Sequence, residues 1–128
     1  MDNKIQYWLD LSEYDLETAK AMLMSKRYLY VGFMCHQSIE KIFKAYFTKL
    51  KSDTPPYTHN LSYLAKKGEF YELFEESQKD FIDELEPLNI EARYPLYKER
   101  LLKSLTEQKC NEIITNTETL QQWIKMKL

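Results

Sequence analysis

The stretch from Arg27 to Leu50, RYLYVGFMCHQSIEKIFKAYFTKL, constrains the fold more than any other part of the chain. Tyr28, Val31, Cys35, Ser38, Ile42, Ala45 and Tyr46 recur at helical spacing and form one face, and Leu29, Phe33, Phe43, Phe47 and Leu50 form a second. A helix that is apolar on two sides must be packed on two sides. The expectation is that one stripe packs a bundle and the other meets a second subunit. His36 and Glu40 lie on the second stripe one helical turn apart, which puts two polar groups inside an apolar seam.

The remaining composition fits helices. The chain has 128 residues, enough for one domain with a core that needs no disulfide or metal staple. Only two glycines and four prolines accompany a 44% hydrophobic content, too little loop-forming material for a many-stranded β fold and too much apolar content for disorder. The expected fold class is therefore all-α, an up-and-down bundle of four main helices plus one or two short ones. Cys35 and Cys110 form no metal-type CxxC spacing, and no cleavable hydrophobic leader is evident, so a reducing cytoplasm is the simplest compartment. No apolar run is long enough to span a membrane. A net charge of −2 argues against a dedicated, strongly basic nucleic-acid binder.

Ile5, Trp8, Leu9, Ser12, Leu16, Ala19 and Leu23 line one side of a first helix over about Asn3 to Ser25. Its short link around Lys26 predicts an antiparallel pair with the central helix. Beyond Leu50, Ser52, Asp53 and Pro55-Pro56 stop the helix. Thr58 or Asn60 can cap a short helix carrying Leu61 and Leu64, with Gly68 closing it at C′ and His59 at the cap. From Glu69 to Glu91, nine acidic residues face one lysine. That run predicts a solvated face that repels nucleic acid. Within it, Ser77 and Asp80 have capping spacing ahead of Phe81, Ile82, Leu85 and Leu88, and Pro87 is expected to kink or end that helix. The sign then reverses: Arg93 to Lys103 has four basic residues against Glu99, with Tyr94 and Tyr97 interleaved, a mixture able to hold phosphates while stacking a base. Ser104 and Glu107 form a capping box for a last helix bearing Cys110, Ile113, Thr117, Leu120 and Ile124.

Several chemistries are excluded. Neither GxGxxG nor GxxxxGK[ST] occurs, and Gly32 and Gly68 stand alone, so no phosphate-cradling glycine loop is available. HExxH and ExxH are also absent, which makes a metal enzyme a poor fit. His36 and Glu40 are read either as a buried hydrogen-bonded pair or as pocket lining, and Glu40 with Lys44 as a surface or pocket-rim pair. Arg93 is either a structural ion pair or, with Tyr94, a contact for a phosphate and a base.

The ordered set Tyr30, Phe33, Cys35-His36-Gln37-Ser38-Ile39-Glu40-Lys41, Lys44-Ala45, His59-Asn60-Leu61 and Glu91-Ala92-Arg93-Tyr94-Pro95 resembles the HEPN domain family over nearly the whole chain. That resemblance implies a helical bundle that often dimerises. It also implies roles ranging from nucleotide binding to ribonuclease toxins and to small proteins paired with a minimal nucleotidyltransferase of the MNT type. Ribonuclease members carry an arginine followed four to six residues later by histidine. Here Arg27 lies nine positions before His36, and no histidine follows Arg93 or Arg100. Arg93-Tyr94-Pro95 is instead similar to members associated with nucleotide binding. The reading is a non-catalytic nucleotide-binding module, with His36, Glu40, Lys44, Arg93 and Tyr94 as candidate contacts. It is expected to be homodimeric and to work with an MNT-type partner, with no cofactor beyond a bound nucleotide, no membrane association and RNA less favoured. The alternatives are a metal-independent ribonuclease toxin using His36 or His59 with Arg93, and a purely structural dimerisation module.

Overall fold

A computed structural model describes residues 1–90 and 95–128, including side chains except those of Ile90 and residues 95–98. Four long helices, α1 (Asn3–Met24), α2 (Tyr28–Lys51), α4 (Glu76–Ile90) and α6 (Glu107–Lys125), are joined by two shorter ones, α3 (Leu61–Lys67) and α5 (Pro95–Ser104). A 3₁₀ turn, Tyr71–Leu73, precedes α4, and no strand occurs among the described residues. The fold is an all-α bundle built around α2, which packs on α1, α3, α4, α5 and α6.

Both apolar stripes of α2 are buried, but within the chain itself. Val31, Cys35, Ser38, Ile42 and Ala45 are covered by α1 and α6. Phe43, on the second stripe, stacks on Phe74 at 5.5 Å and meets Phe70 edge-on at 5.5 Å. Phe47 is equally buried, close to Gly68. The proposed subunit-facing stripe is thus filled by α3, the 3₁₀ turn and α4. A single helix pattern shows that a stripe must be covered but not whether the cover comes from the same chain. Only Leu50, at the end of the stripe, is well exposed.

The helix ends refine the punctuation read from sequence. Asn60 caps α3, its side chain accepting from the Tyr63 amide at 2.9 Å. Gly68, however, is not the left-handed residue: its φ is −79°, and Glu69 takes φ 61°. The Glu69 amide donates to Lys66 O and that of Phe70 to Ala65 O, the paired bonds of a Schellman closure. Lys26 does the same after α1 at φ 60°, with its amide on Leu23 O and that of Arg27 on Met22 O. Both glycines serve close packing instead. A Cβ on Gly68 would stand 2.6 Å from the Phe70 ring, and one on Gly32 3.1 Å from Leu88 of α4. Left-handed backbone costs an L-residue about 1–2 kcal/mol, less than displacing a core ring, so the glycines go where room is scarcest.

Three further boundaries shift. Helix α4 starts at Glu76, one residue before Ser77, where Gln78 accepts from the Glu75 amide at 2.8 Å as the back-reaching half of a capping box. Pro87 sits inside α4, which continues to Ile90. For α6 the cap is Thr106, accepting from the Lys109 amide, while Ser104 turns back onto Leu101 O. Pro95 opens α5, where its missing amide costs no hydrogen bond. No described helix is long and apolar enough to cross a membrane.

Candidate functional site

Polar residues of α2 at 36, 37, 40, 41 and 44 are gathered by helical periodicity on one strip. Neighbouring elements close over it with polar groups of their own: Asp15 from α1, His59 from the loop before α3, and Glu86 and Asn89 from α4. Glu40 is at the centre and fully buried, one carboxylate oxygen accepting from Lys44 Nζ at 3.1 Å and the other 2.8 Å from His59 Nδ1. Lys44 is buried as well, so this pair is interior and not the surface or rim pair expected from spacing. A charge buried this deeply persists only when its partner stays with it. The Lys44 ammonium also lies over the Trp8 ring at 5.3 Å and 6.0 Å from the Tyr57 ring centroid, so aromatic faces complete its solvation.

A second layer surrounds that trio. Lys41 donates to Asp15 at 3.3 Å and to Gln37 at 3.0 Å, and Gln37 donates to Asn89 at 3.1 Å. Burial raises the Asp15 carboxyl above its ordinary value, against the pull of Lys41. Glu86 accepts from the Leu61 and Ser62 amides at 2.6 and 3.1 Å and so caps the start of α3 from another helix. Burial raises its carboxyl too, and the two amides work against that shift. His36 is fully buried, and its Nε2 has no hydrogen-bond partner among the described residues. Burial lowers its imidazole to about 4, overriding the attraction of Glu40. His36 is therefore neutral near pH 7 and badly placed to exchange protons with a substrate.

His59 is different. Its side chain is 46% exposed, Glu40 holds Nδ1, and Nε2 has no partner among the described residues. A buried carboxylate orienting an accessible imidazole can present either a directed hydrogen bond or a proton-transferring nitrogen. Tyr57 stands beside it, ring centroids 6.3 Å apart and 97% exposed, on the turn stiffened by Pro55-Pro56. The Trp8 ring that covers Lys44 also lines an open cleft of about 350 Å³ with Tyr7, Thr48 and Pro55. No cluster of three or more metal-ligating side chains occurs among the described residues.

Of the residues singled out from sequence, His36, Glu40 and Lys44 come together on one strip of α2. Arg93 and Tyr94 lie outside the described residues. His59, which its place in the chain marks only as a loop or capping residue, is the clearest omission from that candidate set. The available signal was its adjacency to the Asn60 cap in a chain with only two histidines. Trp8, Asp15, Tyr57 and Glu86 carried no local signal, because each enters the site by tertiary packing.

The fold and this polar heart define a helical bundle with a charged network built around one central helix. The HEPN domain family model matches residues 5–127, nearly the whole chain, and the protein belongs to the HEPN domain family. That family covers nucleotide-interaction and ribonuclease-type roles. No curated protein sequence matches the chain. Among solved structures it is similar to TT1696 from Thermus thermophilus, with a TM-score of 0.84 and 17% identity over 99% of this chain and 100% of that one. At that identity the likeness concerns the fold alone.

Proposed function

We propose that this chain is a non-catalytic, nucleotide-binding HEPN module that acts as a homodimer with a separate MNT-type nucleotidyltransferase in a toxin-antitoxin-like pair. The observation that carries the reading is the Glu40–Lys44–His59 network. A buried cation and an oriented imidazole lie next to the nearly fully exposed ring of Tyr57 and to the aromatic cleft at Trp8. Such a set offers a stacking surface for a base and, with the His59 imidazole protonated, a directed Nε2–H donor for a phosphate oxygen. Two features favour binding over cleavage: the chain lacks an arginine four to six residues before a histidine, and burial keeps His36 from protonating near neutral pH. Arg93 and Tyr94 are proposed as further ligand contacts.

Calorimetric titration with ATP and GTP, with and without magnesium, tests the ligand half. Saturable binding is expected, weakened at least about tenfold in Tyr57→Ala and in Arg93→Ala. Absence of heat with every nucleotide removes this half. The partner half is tested by co-expression with the product of an adjacent reading frame, if that frame encodes a small nucleotidyltransferase, and by asking whether the two co-purify.

One observation favours a second reading, a metal-independent ribonuclease toxin. The 2.8 Å contact that fixes His59 Nδ1 on Glu40 leaves Nε2 of a half-exposed ring available, as general acid-base catalysis requires. Induced expression should then arrest growth and degrade RNA, and His59→Ala should abolish both. Unimpaired growth on induction rules this reading out.

A further inference from the structure

Most lysines in this chain are already engaged. Lys20, Lys41, Lys44, Lys51, Lys79, Lys109 and Lys125 pair with carboxylates, and Lys49 donates to main-chain carbonyls. At the corner where α1 turns into α2, cations without a carboxylate partner gather. A groove of about 180 Å³ is lined by Lys26, Arg27, Tyr28, Leu29, Tyr30 and Leu102. Among the described residues, the side chains of Lys26 and Arg27 have no ion-pair partner, nor does that of Lys103, which follows Leu102 on α5. Tyr30 is 54% exposed and Leu102 51%, so an apolar floor lies open between cations. Among the described residues, Glu99 and Glu107 are the nearby acids, two against the three cations Lys26, Arg27 and Lys103.

The complementary surface is on the same chain. Leu73, at the end of the 3₁₀ turn, is 52% exposed and is flanked by the exposed acids Glu75 and Glu76 and by Glu72, which pairs with Lys79. The groove has room for one large apolar side chain, and its rim has the charge to meet the acids on either side. Leu73 cannot reach the groove of its own chain. The 3₁₀ turn packs near Phe43 and Phe47, whereas the groove is at Tyr28–Tyr30, about 20 Å away along α2 at 1.5 Å per residue.

We infer that this groove is a self-association surface that receives Leu73 and its acidic flanks from a second copy of the chain. The inference deepens the homodimer reading above by assigning its surface. Because donor and acceptor patches differ, the contact either occurs twice across a two-fold axis or propagates head to tail. An apolar anchor inside a charged rim is the usual anatomy of a specific interface, and the rim makes it sensitive to salt.

Sedimentation velocity on the full chain, at low and high salt, tests the proposal through a charge swap. R27E/K103E and E75K/E76K should each lose self-association, since each sets like charges against like. Mixed in equal amounts they should regain it, because both new contacts pair opposite charges. Leu73→Ser should weaken wild-type association at least about tenfold. Circular dichroism on every variant confirms the fold. Wild-type association with no response to the swaps overturns the groove while leaving a homodimer through another face. A monomeric wild type at every concentration overturns both. Binding of a single-stranded oligonucleotide or of anionic vesicles at the groove, without self-association, gives it a different occupant and also overturns the proposal. Nucleotide titration of R27E/K103E separates all of these from failure of the ligand reading.

Discussion

Two polar clusters lie on opposite sides of α2, and they are built on different terms. Toward α1 and α6, Ser12 Oγ donates to Ser38 O at 2.7 Å and Ser38 Oγ donates to Ser12 O at 2.9 Å. Gln121 Nε2 reaches Ser12 Oγ at 3.0 Å. Ser12, Ser38 and Gln121 are neutral, buried and hydrogen-bonded to one another, and the two small serines let α1 and α2 approach closely. Toward the loop before α3 and α4, the groups are charged, one imidazole nitrogen is unpartnered, two carboxyls are raised by burial and one imidazole opens to solvent. The first arrangement ties helices together. The second accepts electrostatic cost for an oriented, accessible group, and for that reason it is the candidate site.

The comparison is broken most severely at Glu40. Glu40→Ala leaves the buried Lys44 ammonium without its carboxylate and frees His59, and it should cost about 3–5 kcal/mol in urea unfolding. Next is the pH dependence that only the charged cluster should show. His36 has a folded value of about 4 against an ordinary 6.5, so between those values the unfolded chain binds more protons. Its contribution is intact above pH 6.5 and is lost as pH falls toward 4, about 3 kcal/mol in all. Asp15 and Glu86, raised on folding, carry the opposite sign and partly offset the slope in acid. His36→Gln should flatten the stability profile in that window relative to wild type.

Ser12→Ala, in the neutral knot, should cost about 1–3 kcal/mol with no change in pH profile, since it removes the donor to Ser38 O and one of the two acceptors of the Gln121 amide without adding a titrating group. Smallest in stability is Tyr57→Ala, expected within about 0.5 kcal/mol of wild type because the ring is 97% exposed. Its effect should fall instead on nucleotide affinity. A large loss of stability in this variant would make Tyr57 a structural residue.

Helical periodicity made much of this legible. The extents of α1 and α2, the Asn60 cap and the inward face of α6 all follow from spacing and side-chain chemistry, which act within a few residues. The misplacements have one character. Gly68 and Ser104 looked like signals, yet the deciding contacts were the Phe70 ring at Gly68 and the competing Thr106 hydroxyl. The site divides the same way: His36, Glu40 and Lys44 share a strip of one helix, whereas His59 joins Glu40 from 19 residues away and Glu86 caps α3 from 25 residues away.

By itself, then, the sequence determined that Arg27 to Leu50 is a helix needing cover on two sides, with a polar strip at His36, Glu40 and Lys44, because helical geometry repeats every few residues whatever surrounds it. Tertiary structure alone decided that the second stripe is covered by the chain's own α3 and α4, and that the Glu40–Lys44 pair is interior. It also decided that His59, not His36, is the imidazole that meets solvent. Burial and partnership depend on where distant segments come to rest, and that is settled by the packing of the whole bundle.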